Sequence, residues 1–98
     1  MTNGPKEDYT DELILVFQKI AGNRGLLKAF FEDILSPTEY KELGVRWQIV
    51  KQLAAGKSQR HIAKNLHTAI ATVTRGSREL IDKDGGFQRV LQKLSKKK

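Results

Sequence analysis

Residues 59–77 read QRHIAKNLHTAIATVTRGS. The first half sets Ile62 and Leu66 four residues apart on one helical face, and the second repeats the device with Ile70, Val73 and Ser77 at i, i+3 and i+7. Between them Leu66-His67-Thr68-Ala69 leaves room only for a sharp corner. Two short helices, each with an apolar face to cover, meeting at such a corner make a helix-turn-helix. The remaining positions Gln59, Arg60, Lys64, Thr72, Thr74, Arg75 and Arg78 are long cations or short hydrogen-bonding groups, the types that hold phosphates and read base edges. An ordinary helical hairpin with a solvated basic face is the alternative, and the shortness of the corner weighs against it. His67 stands where such corners usually carry a Gly with positive φ; His is among the non-Gly residues enriched there.

Charge supports a polyanion partner. The chain of 98 residues carries a net +7. Residues 1–45 hold five Lys and Arg against eight Asp and Glu, so −3, whereas residues 46–98 hold thirteen against three, so +10. The cations therefore sit with the helix-turn-helix, and double-stranded DNA is the leading partner. A chain of this length supports one domain whose own core is modest, so a partner subunit would help. With no Cys there is no disulfide framework or thiolate metal site, and the composition suits a reducing, cytoplasmic setting. The longest purely apolar run, Leu13 to Phe17, falls far short of the roughly 20 residues of a membrane span, so a soluble, untargeted protein without a membrane partner is expected.

Working outward, residues 1–9 have the composition of a flexible N-terminal arm and residues 96–98 that of a basic tail, leaving 10–95 as a single helical domain with its helix-turn-helix at about 58–80. Thr10 is the expected cap of a first helix that opens on Asp11 and Glu12 and runs to about Ala21. Leu13, Ile14, Leu15, Val16, Phe17 and Ile20 nearly encircle it; a helix apolar all round must be buried all round, and one short subunit can hardly supply both walls. An intertwined homodimer follows, against the alternative of a helix buried in a monomer core. Residues 22–25 are expected as a loop, and Leu26, Leu27, Phe30, Phe31 and Ile34 as the single stripe of a second helix. Ser36-Pro37-Thr38-Glu39 spells a capping box with Pro at the first helical position, and Leu35 can staple to Tyr40. The third helix should reach Ala55 and stop at Gly56, with Tyr40, Leu43, Trp47, Val50 and Ala54 as its seam. Ser58 and Thr68 are the expected caps of the two short helices. Asp82 to Gly86 then breaks the pattern before a last helix with Phe87, Val90, Leu91 and Leu94 on one face.

Nothing in the chain spells catalysis. No Ser nucleophile has His and acid neighbours in a recognisable arrangement, and the carboxylates gather at helix starts, where capping explains them. His61 and His67 lack the companions a metal site needs. Gly22-Asn23-Arg24-Gly25 has neither the Lys-Ser/Thr ending nor the preceding strand of a phosphate loop. An enzyme and a metal or cofactor site are not expected.

Several of these segments together resemble the Trp operon repressor family: Leu35-Ser36-Pro37, Leu43-Gly44-Val45-Arg46, Ser58-Gln59-Arg60 and, above all, Ala69 to Ser77 with its ATVTRGS run, the likeness spanning about residues 26–91. The resemblance implies an all-α, six-helix, intertwined homodimer that takes L-tryptophan as corepressor and then binds a palindromic operator of tryptophan-related genes. It implies tryptophan contacts at Leu35, Ser36, Arg46, Ile49, Val50, Thr72, Arg75, Gly76 and Glu79, with the two arginines flanking the indole and holding the carboxylate, and Gly76, lacking a Cβ, leaving room for a flat ring. It implies DNA contacts at Gln59, Arg60, Ile70, Ala71, Thr72 and Thr74. Two departures stand out: Glu79 replaces a small hydroxyl residue near the ligand ammonium, and the Gly56-Lys57-Ser58 link is one residue shorter. A protein of this fold with a changed or absent ligand, and a basic nucleic-acid binder without sequence preference, are the competing readings.

Overall fold

The computed structural model describes residues 8–96, which form helices and connecting turns only. In chain order these are α1 (Tyr9–Ile20), α2 (Arg24–Ile34), α3 (Pro37–Ala54), α4 (Gln59–Leu66), α5 (Ile70–Ile81) and α6 (Gly86–Lys96). None of the described helices is long and apolar enough to cross a membrane. The chain divides into two compact units between Tyr40 and Lys41.

In the first unit the helix starts are set by side-chain caps. Asp8, not Thr10, is the N-cap of α1: its carboxylate accepts from the amide and hydroxyl of Thr10, and those two bonds, the hydroxyl first, hold the Asp8 pKa below its ordinary value. Tyr9 is thus helical, while residues 1–7 of the expected arm lie outside the described residues. Asn23 caps α2 by accepting from the Leu26 amide at 3.0 Å, so the helix begins at Arg24 and takes in half of the expected loop. The capping box of α3 closes in both directions, Glu39 N–H to Ser36 Oγ at 3.1 Å and Ser36 N–H to Glu39 Oε1 at 2.8 Å. Aromatic rings join these helices. Phe17 of α1 meets Phe30 edge-on at 5.8 Å and Phe31 at 5.4 Å, and Phe31 meets Tyr40 at 5.8 Å. Yet neither α1 nor α2 contains a buried residue. Ile14 and Leu15 are 53% and 55% exposed, so the apolar belt of α1 is not enclosed within one chain.

The second unit holds the core. Ile49, Val50, Ile62 and Val73 are at most 1% exposed, each such burial contributing about 1.5–3 kcal/mol. Val45, Leu53, Ala63 and Leu66 pack around Ile49, Ile62 and Val73. The core-facing stripe of α3 is therefore Val45, Ile49 and Leu53 beside Val50; of the expected seam only Val50 is buried, Tyr40 and Trp47 are half-buried, and Leu43 and Ala54 are exposed. The stripe is fixed by which α3 positions meet Ile62 and Val73, information that the spacing within α3 alone does not contain.

Two like stops end α3 and α4. After α3, Gly56 takes φ 91°, its N–H bonding Leu53 O at 2.9 Å and the Lys57 N–H bonding Gln52 O at 3.1 Å. After α4, His67 takes φ 55° and ψ 46°, its N–H bonding Lys64 O at 3.3 Å and the Thr68 N–H bonding Ala63 O at 3.0 Å. The expected positive-φ corner is present with its His. Ser58 caps α4 by accepting from His61 N–H at 3.1 Å. The expected cap of α5 is not found: the helix starts one residue later, so that Ala69, which has no side-chain acceptor, occupies the N-cap, while the Thr68 amide bonds Ala63 O in the α4 stop. Asp82 closes a turn through its backbone to Gly85 N–H, 3.0 Å, and through its carboxylate to Asp84 N–H, 3.0 Å. Gln88 of α6 then donates to Leu80 O at 2.7 Å, fastening α6 against the end of α5.

Candidate functional site

The same packing that makes the core leaves a cleft of about 320 Å³ within the second unit. That is near the lower end of the roughly 300–1,000 Å³ of small-ligand pockets. Arg46, Ile49 and Val50, at i, i+3 and i+4, line it from α3; Ala71, Thr72, Arg75, Gly76 and Glu79 line it from α5; Phe87 lines it from α6. Ile49, Val50 and Phe87 supply apolar surface, while two guanidiniums and one carboxylate supply charge on exposed side chains. Gly76 has a definite reason to be glycine. A Cβ there would fall 3.1 Å from Ile49 Cγ2 and 3.8 Å from Leu53 Cδ1, so the missing methyl lets α5 approach α3, and its vacant side faces Ile49 rather than open space.

Seven of the residues singled out in the sequence for a ligand, Arg46, Ile49, Val50, Thr72, Arg75, Gly76 and Glu79, are brought together here. Leu35 and Ser36 belong to the first unit, where Ser36 caps α3. Ala71 and Phe87 also line the cleft. Ala71 was placed on the DNA-facing set, although residues 71, 72, 75, 76 and 79 form one broad helical stripe at i, i+1, i+4, i+5 and i+8 that spacing could have revealed. Phe87 was read as part of the apolar face of the last helix, and nothing in its spacing separates it from Val90, Leu91 and Leu94; the turn at residues 82–85 is what carries it to the cleft.

The other residue set spans α4 and the start of α5. Arg60, Ile70 and Ala71 are exposed, and Gln59, Thr72 and Thr74 are half-buried. The Thr74 hydroxyl donates to Gln59 Oε1 at 2.7 Å, tying the first turn of α4 to the second turn of α5. Two polar side chains of the helix-turn-helix thus hold each other and the angle between its helices.

An all-helical chain whose α4 and α5 make a helix-turn-helix, with α5 also one wall of an arginine-flanked cleft, belongs, as a class, with helix-turn-helix proteins. The particular family is shown by comparison: the chain belongs to the Trp repressor protein family, which matches residues 11–95. It is 44% identical over 63 residues to the Trp operon repressor homolog of Mannheimia succiniciproducens, covering 63% of this chain and 62% of that protein. To the Trp operon repressor homolog of Haemophilus influenzae it is 39% identical over 70 residues, 70% of this chain and 69% of that one. To the Trp operon repressor homolog of Chlamydia trachomatis it is 38% identical over 68 residues, 68% and 72% of the two chains. The match thus spans less than two thirds of the Mannheimia protein's length. No solved structure matches the chain.

Proposed function

We propose that this chain is a tryptophan-dependent transcriptional repressor: a cytoplasmic homodimer, not an enzyme, that takes L-tryptophan into the cleft between α3 and α5 and then binds palindromic operator DNA of tryptophan-related genes. The observation that carries the proposal is the cleft itself, with Arg46 and Arg75 available to a carboxylate or a π face above the apolar surface of Ile49, Val50 and Phe87. Membership of the family supports the same reading.

The mechanism follows from the double use of α5. Its first turns carry Ala71 and Thr72, which line the cleft and also belong to the residue set assigned to DNA. A ligand in the cleft would prop this end of α5 from behind and favour one placement of the reading helix over others. Its effect on DNA affinity can be no larger than its differential affinity for those placements. Arg60, Gln59 and Thr74 would then meet the duplex from α4 and α5. The exposed apolar side chains of α1 and α2, Ile14, Leu15, Leu26 and Ile34, are the support for a second copy. A two-fold dimer of reading units requires a palindromic site with half-sites one helical turn apart, as for dimeric helix-turn-helix proteins generally, Trp repressor included.

A gel shift on palindromic and scrambled duplexes, with and without L-tryptophan, tests the reading. The expected result is a complex with the palindrome that strengthens on adding tryptophan. Equal binding to both duplexes would instead identify a non-specific basic protein. Palindrome binding indifferent to tryptophan would identify the same fold with a changed or absent ligand.

A further inference from the structure

We propose that Gln88 is a positioning residue for the cleft: its side-chain amide, bonded to the end of α5, holds the neighbouring Phe87 in the cleft wall, and ligand affinity depends on that bond although Gln88 itself does not line the cleft. The inference rests on the cleft being the ligand site of the proposed function and adds how its α6 wall is kept in place.

α5 ends at Ile81, and its last carbonyls have no further turn of helix to satisfy them. Were the helix to continue, the Asp84 amide would bond Leu80 O. Instead it bonds the Asp82 carboxylate at 3.0 Å, and the Gly85 amide bonds Asp82 O at 3.0 Å. Leu80 O is thereby left to the Gln88 side chain, whose Nε2 donates to it at 2.7 Å in a partly buried setting. The turn between them is close-fitted, since a Cβ on Gly85 would fall 3.2 Å from Asp82 O and 3.3 Å from Asp82 Cβ and Cγ. Leu80 follows Glu79 and Gln88 follows Phe87, so the bond joins the neighbours of two cleft residues. Little else within the chain holds α6. None of residues 86–95 is buried, Val90 and Leu94 are 46% and 50% exposed, and among the described residues this is the one hydrogen bond between α5 and α6. A helix held so lightly shifts its pose for the loss of one bond, while Ile49, Ile62 and Val73 stay packed. Released, α6 pivots at residues 82–85, Phe87 withdraws, and the cleft keeps its arginines but loses an apolar wall. By linkage, a ligand packed against Phe87 strengthens the Gln88 latch by the same factor as the latch strengthens ligand binding.

The test is calorimetric titration of the full chain with L-tryptophan, on the wild type, Gln88→Met, Gln88→Arg, Phe87→Ala, and Phe87→Ala combined with Gln88→Met, with circular dichroism confirming each fold. Met keeps the length and helix propensity of Gln without a donor, and Arg restores a donor that can reach a terminal carbonyl. Gln88→Met should weaken binding by about tenfold, and Gln88→Arg should stay within about threefold of the wild type. In the Phe87→Ala background, Gln88→Met should change affinity by no more than about twofold, because the residue it positions is gone. A general structural role would give the same loss in both backgrounds; that result, or unchanged affinity in Gln88→Met, would overturn the proposal while leaving the tryptophan site standing. A wild type that does not bind tryptophan would overturn the ligand reading and this inference with it. A second readout needs no variant, and it decides the matter if Gln88→Met does not fold. Saturating tryptophan should slow hydrogen exchange at the amides of residues 90–95 in the wild type by about tenfold, and exchange there indifferent to bound ligand would overturn the proposal.

Discussion

Replacing Gly76 by Ala sets two well-characterised effects against each other at one atom. Gly76 lies inside α5, where Ala is favoured over Gly by about 1 kcal/mol, so on propensity alone the change should stabilise the protein. The new methyl, however, would sit 3.1 Å from Ile49 Cγ2, and Ile49 is 1% exposed and packed in the core with Ile62 and Val73. Either α5 or Ile49 must give by a few tenths of an ångström, and overpacking of this kind costs about 1–3 kcal/mol. The expected balance is a net destabilisation of about 1 kcal/mol. Ile49→Ala, which removes Cγ2, separates the two effects. Alone it should cost about 2–5 kcal/mol, but in that background Gly76→Ala should become stabilising by about 1 kcal/mol, a coupling of about 2 kcal/mol across the cycle. Urea unfolding followed by circular dichroism, ligand-free and at one fixed protein concentration, measures all four proteins. Additivity, with Gly76→Ala stabilising in both backgrounds, would refute the close approach of α5 to α3 at this residue.

Three further outcomes are expected. Since His67 holds φ 55° at the α4 stop, His67→Gly should raise stability by about 0.5–1 kcal/mol in the same urea assay, and His67→Val should lower it; a loss with Gly would mean that the His side chain supports the corner. Arg60→Ala should weaken operator binding by about 1–3 kcal/mol if Arg60 reads a base, or lower the salt slope by about one if it holds a phosphate, and unchanged binding at two salt concentrations would remove it from the interface. In sedimentation at low micromolar concentration the protein should run at twice its 11.1 kDa chain mass, and a folded monomer there would contradict the proposed dimer.

Where the chain's local chemistry decides a feature, it could be read in advance. The capping box at Ser36 and Glu39, the glycine stop at Gly56, the Ser58 cap and the positive-φ His67 all depend on residues within a few positions of one another, and all are present. Where two local solutions compete, residue type alone does not decide. Thr10 and Asp8 both suit an N-cap, and Asp8 takes the role by accepting from Thr10 itself. Thr68 suits a cap by type, but α5 begins one residue beyond it, with Ala69 at the N-cap position. What spacing cannot contain is the identity of the neighbour. The α3 stripe and the place of Phe87 are set by contacts with residues far along the chain, so the first was displaced onto Val45, Ile49 and Leu53 and the second went unnoticed.

The residues that line the cleft and those that brace the helix-turn-helix are not separate structures. Val73 and Thr74 are adjacent to Thr72 on α5: Val73 points into the core, Thr74 bonds Gln59 of α4, and Thr72 faces the cleft. Three consecutive side chains therefore tie one turn of helix to the core, to its companion helix and to the cavity. A rigid connection to α4 means that whatever moves this turn moves the pair of short helices together, since rotating α5 alone would break the Thr74 to Gln59 bond and lift Val73 from Ile49 and Ile62. In the proposed function that is the useful arrangement, because occupancy of a cleft behind α5 then biases the pose of the whole two-helix unit, and by linkage DNA bound to that unit must tighten the cleft's hold on its ligand by the same factor.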